Sequence, residues 1–475
     1  MEANNEDNIS KQKHKKWLQK RKYTFIAFSI QMIIIGMEWS LTIVTLWSYI
    51  KEMIITNNPK LIYGLVSVSY MLASTVITPF IGRYVDRRRN INTCFLICNM
   101  WMLSGNVIYS LPFSPFFLIG GRIITGFGGA LKPIIYSETV RSYPANEISS
   151  KLSILSMMVY FGFMLGPGIN FSFKNINIFI GHWHLQYANF TGLFMGILCF
   201  IMEILTMTMV YDVSKEFDYK AIGKSSFSID KMNEFHVDDI LPLLKDDSEN
   251  NATTVLKTAV LQSINSNQHT VIKILKVLFF SFDSALLLFS NFFLAFFFIN
   301  TDIWLPLLII EKMHLSVTEI NICFFGVSGI CAIILLRIIY RPFSDKNMMI
   351  MIILSLVGFC AVSAGYIILS YIPNNKALSI FMSIVYMTCN AGTPIIIDVY
   401  FVNTLAKMVN SNVLTFVDSV RSSSFTAGAL LAFSFSAFIF DYVAIFGTLY
   451  IVIMIVIGIL FICRKKHFIN PKLLI

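Results

Sequence analysis

Long apolar runs, each ended by a short polar stretch, recur from one end of the chain to the other. Twelve can be counted. They lie at roughly 24–50, 61–81, 92–111, 115–138, 150–173 and 190–211 in the first half, and at roughly 278–310, 318–340, 348–371, 377–403, 412–440 and 442–463 in the second. A helix of about 20 residues crosses a hydrocarbon core of about 30 Å, and each run has that reach. No water is present there to satisfy backbone N–H and C=O groups, so each run is predicted to be an α-helix. The seventh run exceeds one straight crossing, and its start, with Asp283, is expected at the membrane surface. Residues 214–275 break the pattern with a polar stretch rich in Ser, Asn, Asp and Lys. The predicted organisation is a basic tail over 1–22, a six-helix bundle over 23–213, a linker over 214–275, a second bundle over 276–463 and a basic tail over 464–475. The fold class is thus an all-α membrane protein, twelve transmembrane helices in two six-helix bundles.

Composition agrees with this reading. Hydrophobic residues make up 56% of the chain and charged residues 13%, too few to cover a soluble protein of this length. Lys and Arg set the orientation. Lys11, Lys13, Lys15, Lys16, Lys20, Arg21, Lys22, Arg83, Arg87, Arg88, Arg89, Arg141, Lys151, Arg341, Lys346, Lys407, Arg464, Lys465, Lys466 and Lys472 fall on one side. The other side holds Lys51, Lys60, Lys174, Lys312 and Lys376. The positive-inside rule then places both termini and the linker in the cytosol. The net charge of +10 reflects this bias and contact with anionic lipid heads, and does not imply nucleic acid as a partner. The first apolar run is too long for a signal-peptide core and lacks a small-residue cleavage site, so it is read as a span.

The eight cysteines lie in or beside apolar runs and are read as small buried hydrophobes. Cys94 and Cys98 can share a helix face, but no His or carboxylate cluster completes a metal set. With no paired nucleophile and base and no nucleotide-binding loop, the chain is not expected to be an enzyme, and no cofactor or metal is implied.

Charged residues inside the runs are the candidate chemistry. A carboxylate at mid-bilayer depth costs about 2.5–3.5 kcal/mol on insertion scales, so it marks function more often than packing. Glu38 sits in the first run and Asp302 in the seventh, one per half, and both are expected to carry protons. Arg122 and Lys132 occupy the fourth run ten residues apart, close to three helical turns, and are expected to face one cavity as contacts for an anionic substrate. Glu138 lies nearer the cytosolic end of that run, while Glu203 and Asp398 are further intramembrane acids. Asp418 and Arg421, three apart, are expected to pair with each other.

Several motifs carry a resemblance. The loop after the second run reads GRYVDRRRN, from Gly82 to Asn90; the fourth run contains GRIITGFGGA and the fifth GFMLGPGIN, with Gly162, Gly166 and Pro167. In these positions and this order they resemble the signatures of the major facilitator superfamily, although Arg88 and Arg89 replace that loop's final Gly-Arg. The resemblance implies a gating loop in which Asp86 and Arg87 latch the two halves, with Gly82 permitting a tight helix exit. GMEWSLTIVTLWSYI in the first run and NTDIWLPLL in the seventh extend the resemblance to the lysosomal facilitator group linked to ceroid lipofuscinosis, which is related to vacuolar facilitators bearing an SPX domain absent here. That group implies a lysosomal or late endosomal membrane, with chloride flux as the associated activity.

In the linker, Asp239-Ile-Leu-Pro-Leu243-Leu244 fits the acidic dileucine pattern read by clathrin adaptors, and Tyr219-Lys-Ala-Ile222 fits the tyrosine-based pattern. The reading is a transporter that moves a small solute or anion by rocking of two bundles around a midplane site, coupled to protons. The alternatives are a chloride-type anion channel, a non-transporting scaffold or receptor, and residence in the plasma membrane.

Overall fold

The computed structural model describes residues 2–173, 175–181, 183–220, 271–313, 345–371 and 376–469, with scattered positions between 330 and 340 and after 470. Most of the expected eighth span, 318–340, and most of the linker lie outside the described residues.

The first bundle comprises α1 (Glu2–Met53), α2 (Pro59–Arg88), α3 (Ile91–Tyr109), α4 (Pro115–Gly126), α5 (Leu131–Ser142), α6 (Ala145–Ser172) and α7 (Tyr187–Met209), followed by the short α8 (Val213–Glu216). The second half comprises α9 (Val271–Phe280), α10 (Phe282–Met313), α11 (Asp345–Tyr371), α12 (Lys376–Met408), α13 (Leu414–Asp441), α14 (Val443–Cys463) and the short α15 (Lys465–Ile469). Among the described residues, eight helical stretches are long and apolar enough to cross a membrane, Pro115–Ser142 counting as one.

Local chemistry explains where the elements depart from the expected runs. The helix α1 continues back through the basic tail to Glu2, because that stretch holds neither Gly nor Pro to stop it. The fourth span is not one helix: Gly126, Gly128 and Gly129 flank or occupy a 3-10 turn, Phe127–Ala130, between α4 and α5. The seventh is likewise divided, with α9 ending just before α10 begins at Phe282. One element was not expected from an all-α reading. A hairpin of β1 (Asn177–Ile180) and β2 (Trp183–Gln186) joins α6 to α7, pairing Asn177 with Gln186 and Ile180 with Trp183. Gly181 takes the positive φ of +60° that its turn requires.

Within the first bundle α1 packs on α6 and α7, and α3 on α4 and α7; in the second, α10 packs on α13, and α11 on α12 and α14. The α1–α6 crossing is close because both helices present glycine. A Cβ on Gly36 would collide with the Val159 carbonyl oxygen, and one on Gly162 with that of Ile33. The bundles meet along α2 and α13. Thr75 Oγ1 donates to Thr426 Oγ1 at 2.7 Å, and Ser423 Oγ donates to the Thr75 carbonyl at 2.9 Å.

Candidate functional site

Buried charge in the first bundle centres on Glu38, whose side chain has no exposure. Arg122 Nη1 of α4 donates to Glu38 Oε1 at 2.6 Å, and Asn106 Nδ2 of α3 donates to Oε2 at 2.8 Å. The Arg122 guanidinium also lies over the Tyr70 ring, 4.5 Å from its centroid. Glu38 and Arg122 thus neutralise each other inside one bundle.

A second chain of charge crosses between the bundles. Lys132 Nζ of α5 lies 2.9 Å from Asp398 Oδ2 of α12. Asp398 Oδ1 accepts from Arg421 Nη1 of α13 at 2.5 Å, and Arg421 Nε donates to Asp418 Oδ1 at 2.6 Å. Tyr136 Oη donates to Asp398 Oδ2 at 3.3 Å. Two positions remain open: Arg421 Nη2 and Asp418 Oδ2 are buried without a hydrogen-bond partner.

Arg122 and Lys132 therefore engage different helices rather than one cavity. Ten residues set the two side chains about 15 Å apart along the span, at different depths, where each meets a different helix.

A third group ties α2 and α5 to the start of α13. Asp86, at the end of α2, accepts from Arg141 Nη2 at 2.5 Å and from two backbone N–H groups at the start of α13, Thr415 at 3.0 Å and Phe416 at 2.7 Å. A carboxylate there satisfies helix N–H groups that lack an intrahelical acceptor and faces the positive end of the helix dipole. Arg141 also donates to the Ser411 carbonyl at 2.6 Å and to Thr415 Oγ1 at 2.7 Å. Gly82 is needed for this seam, since a Cβ would run into the Ser419 side chain and the Thr415 carbonyl. Arg87, expected in the latch, is exposed; Arg89, in a left-handed cap conformation, donates instead to Asp218, Ser411 and Asn412.

The remaining expected residues fall out as follows. Asp302 lies in α10, and its side chain is outside the described set. Asp239, Leu243 and Leu244 lie outside the described residues. Tyr219 is buried, packed on Trp17 and Phe217 where the first residues of the linker dock on the basic part of α1. Asn189, near the start of α7, is buried, its amide donating to the Ser110 and His184 carbonyls at 2.9 Å.

Arg141 and Asn106 were not among the expected site residues, and Arg421 was expected only as the partner of Asp418. Arg141 reads in the sequence as one more cytosolic charge. Asn106 had a signal: it is a polar residue within an apolar helix, as Glu38 is.

Similarity to known proteins agrees with this architecture. Human MFSD10, an organic anion transporter, superposes with a TM-score of 0.60 at 13% identity, covering 92% of this chain and 99% of that one. XylE from E. coli, a proton:xylose symporter, gives 0.63 at 14% identity, covering 95% and 97%. At these identities the likeness is one of fold. The quinolone resistance protein NorA of Staphylococcus aureus is 25% identical over 193 residues, 40% of this chain and 45% of NorA, so the chain spans under half the length of the curated relatives it matches. The profile of the Major Facilitator Superfamily matches residues 28–417. The chain is a multi-pass membrane protein that belongs to the Major Facilitator Superfamily.

Proposed function

We propose that this protein transports a small solute, an anion in the reading its buried cations favour, across the endolysosomal membrane by proton-coupled alternating access. The observation that carries the proposal is the Lys132–Asp398–Arg421 chain between the bundles. Two cations share one carboxylate there, and Arg421 keeps an unpartnered Nη2. An entering anion would displace Asp398 from Lys132 and meet that Nη2. It would thereby part a link that ties the bundles together, so binding and rocking become coupled. Lys132 and Arg421 are the proposed substrate contacts, with Arg122 held in reserve by Glu38.

Glu38 is the proposed proton-coupling residue of the first half and Asp302 its counterpart in the second. Protonation of Glu38 would release Arg122 from its ion pair, turning a neutral pair into a free cation. The motif resemblance to the lysosomal facilitator group and the dileucine pattern at Asp239, Leu243 and Leu244 support the compartment. Tyr219 adds nothing to it while buried against Trp17.

The test uses reconstituted vesicles, with radiolabelled chloride as probe and an imposed pH gradient. Glu38→Gln should abolish gradient-driven net flux while leaving gradient-free exchange. Intact pH coupling in that variant would remove Glu38 from the mechanism.

A further inference from the structure

Two turns from Glu38 toward the cytosol, a second polar level crosses the first bundle. It consists of Gln31 on α1, Asn99 on α3 and Glu203 on α7, which are 0%, 0% and 7% exposed. Neighbouring contacts set the three at one height. The Phe28 and Phe95 rings stack at 5.2 Å on the cytosolic side, and Glu38 bonds Asn106 on the luminal side. Gln31 and Asn99, between those contacts, are therefore opposite each other on α1 and α3. The antiparallel α7 is pinned to α1 by Thr191 with Thr45 at 3.3 Å toward the lumen, and by Thr24 Oγ1 donating to the Met209 carbonyl at 3.2 Å toward the cytosol. This brings Glu203 level with Gln31. Asn99 Nδ2 reaches α7 directly, at 3.4 Å from Thr206 Oγ1.

Both amide atoms of Gln31, the Asn99 Oδ1 and the Glu203 Oε2 are buried with no hydrogen-bond partner. Leaving one such group dry costs about 1–3 kcal/mol, and native structures rarely tolerate several together. No Lys, Arg or His is available to Glu203 from α3, from α7 or from α1 between Thr24 and Ser48. His184 of β2 lies at the far, luminal end of α7. The titratable groups nearby on these helices are Glu38, Cys94, Cys98 and Cys199. Cys199, one turn from Glu203, is within electrostatic reach of both Glu203 and Glu38. A polar level of this kind is satisfied by bridging water and by a proton on the unpaired carboxyl.

We infer that Gln31, Asn99 and Glu203 form a water-bearing, proton-binding site between Glu38 and the cytosol. Protons enter or leave Glu38 through it. The passage to Glu38 rests on the coupling role proposed above; the site itself does not.

The experiment is infrared difference spectroscopy of the full-length protein in lipid nanodiscs, between acidic and alkaline buffer, in H2O and in D2O. A protonated-carboxyl C=O band that shifts in D2O is expected, lost in Glu203→Gln and kept in Glu38→Gln. Glu203→Asp, which retains the carboxyl, should keep the band at a displaced frequency, and a monodisperse size-exclusion profile confirms that each variant folds. Gln31→Leu with Asn99→Leu should slow deuterium exchange of the band by about tenfold. A wild-type spectrum from Glu203→Gln, or a Glu203 band that does not respond to D2O, would show a dry structural core and overturn the proposal. The spectra need no transported solute, so they decide this site whether or not Glu38 couples flux to protons.

Discussion

The cytosolic latch makes a quantitative prediction. Asp86→Asn keeps the shape of the side chain and removes its charge. Arg141, fully buried, then loses its 2.5 Å ion pair, and the start of α13 loses an anionic cap. Stranding a buried charge by removing its partner costs about 3–5 kcal/mol, and the helix-end term about 0.3–1 kcal/mol. Arg141 keeps Ser411 and Thr415 as acceptors, and an Asn oxygen still takes one backbone N–H, so the lower end applies. A loss of about 3 kcal/mol is roughly a hundredfold in the ratio of cytosol-closed to cytosol-open states. It acts on that ratio because Asp86 and Arg141 become hydrated once α2 and α13 separate. The assay is maleimide labelling from the cytosolic side at Ser419→Cys, the position that faces Gly82, in a background without other cysteines. Labelling should accelerate strongly in Asp86→Asn and little in Asp86→Glu. Equal rates with and without Asp86→Asn, at normal membrane level, would refute the latch and the energetics assigned to it.

Further outcomes follow from the same geometry. Asp398→Asn leaves Lys132 and Arg421 without their shared carboxylate, so chloride flux in vesicles should fall by about tenfold or more, and adding Lys132→Gln should cost less than the two single losses combined. Gly162→Leu drives a side chain into the Ile33 backbone and should yield no monodisperse protein, whereas Gly64→Ala, which meets nothing within 4 Å, should be neutral or stabilising by about 0.5–1 kcal/mol in thermal unfolding. Leu243→Ala with Leu244→Ala should move the protein to the plasma membrane by fluorescence microscopy; unchanged endolysosomal staining would make that motif incidental.

The spans were legible because the bilayer imposes length and hydropathy one helix at a time. The acid at Glu38, the glycines at Gly82 and Gly162, and the Asp418–Arg421 pair were legible for the same local reason: depth, lack of a side chain, or spacing along one helix. Pairings between helices were not. Lys132 has no acid one turn away, and its partner Asp398 stands in the other half of the chain, a proximity that only the tertiary arrangement supplies. Arg122 and Lys132 share a span, but ten residues of separation place them at different depths, where Glu38 and Asp398 respectively are the acids within reach. The hairpin at Asn177–Gln186 carries no strong alternation, and Tyr219 reads as an exposed linker residue until the helical extension of α1 provides Trp17 as its neighbour.

The Glu38–Arg122 and Lys132–Asp398 pairs differ in what a rocking motion would do to them. Glu38 and Arg122 belong to one bundle and travel together, so no rigid-body movement need break their bond. A proton or a competing charge is required to separate them, which suits a coupling site whose pair should not break through motion alone. Lys132 and Asp398 belong to different bundles, so any opening on their side stretches that contact. Its Lys132 side chain is 28% exposed, against 8% for Arg122 and 0% for Glu38. The inter-bundle pair is the less enclosed of the two, so breaking it is expected to cost less than the roughly 3–5 kcal/mol of a dry pair. The more tightly held Arg421 and Asp418 stay behind on α13 and keep Asp398 from being left as a lone charge. A contact meant to form and part in every cycle should sit where it is partly wet, and one meant to hold a proton where it is dry. The exposures of Lys132 and Glu38 differ in the sense that their proposed roles require.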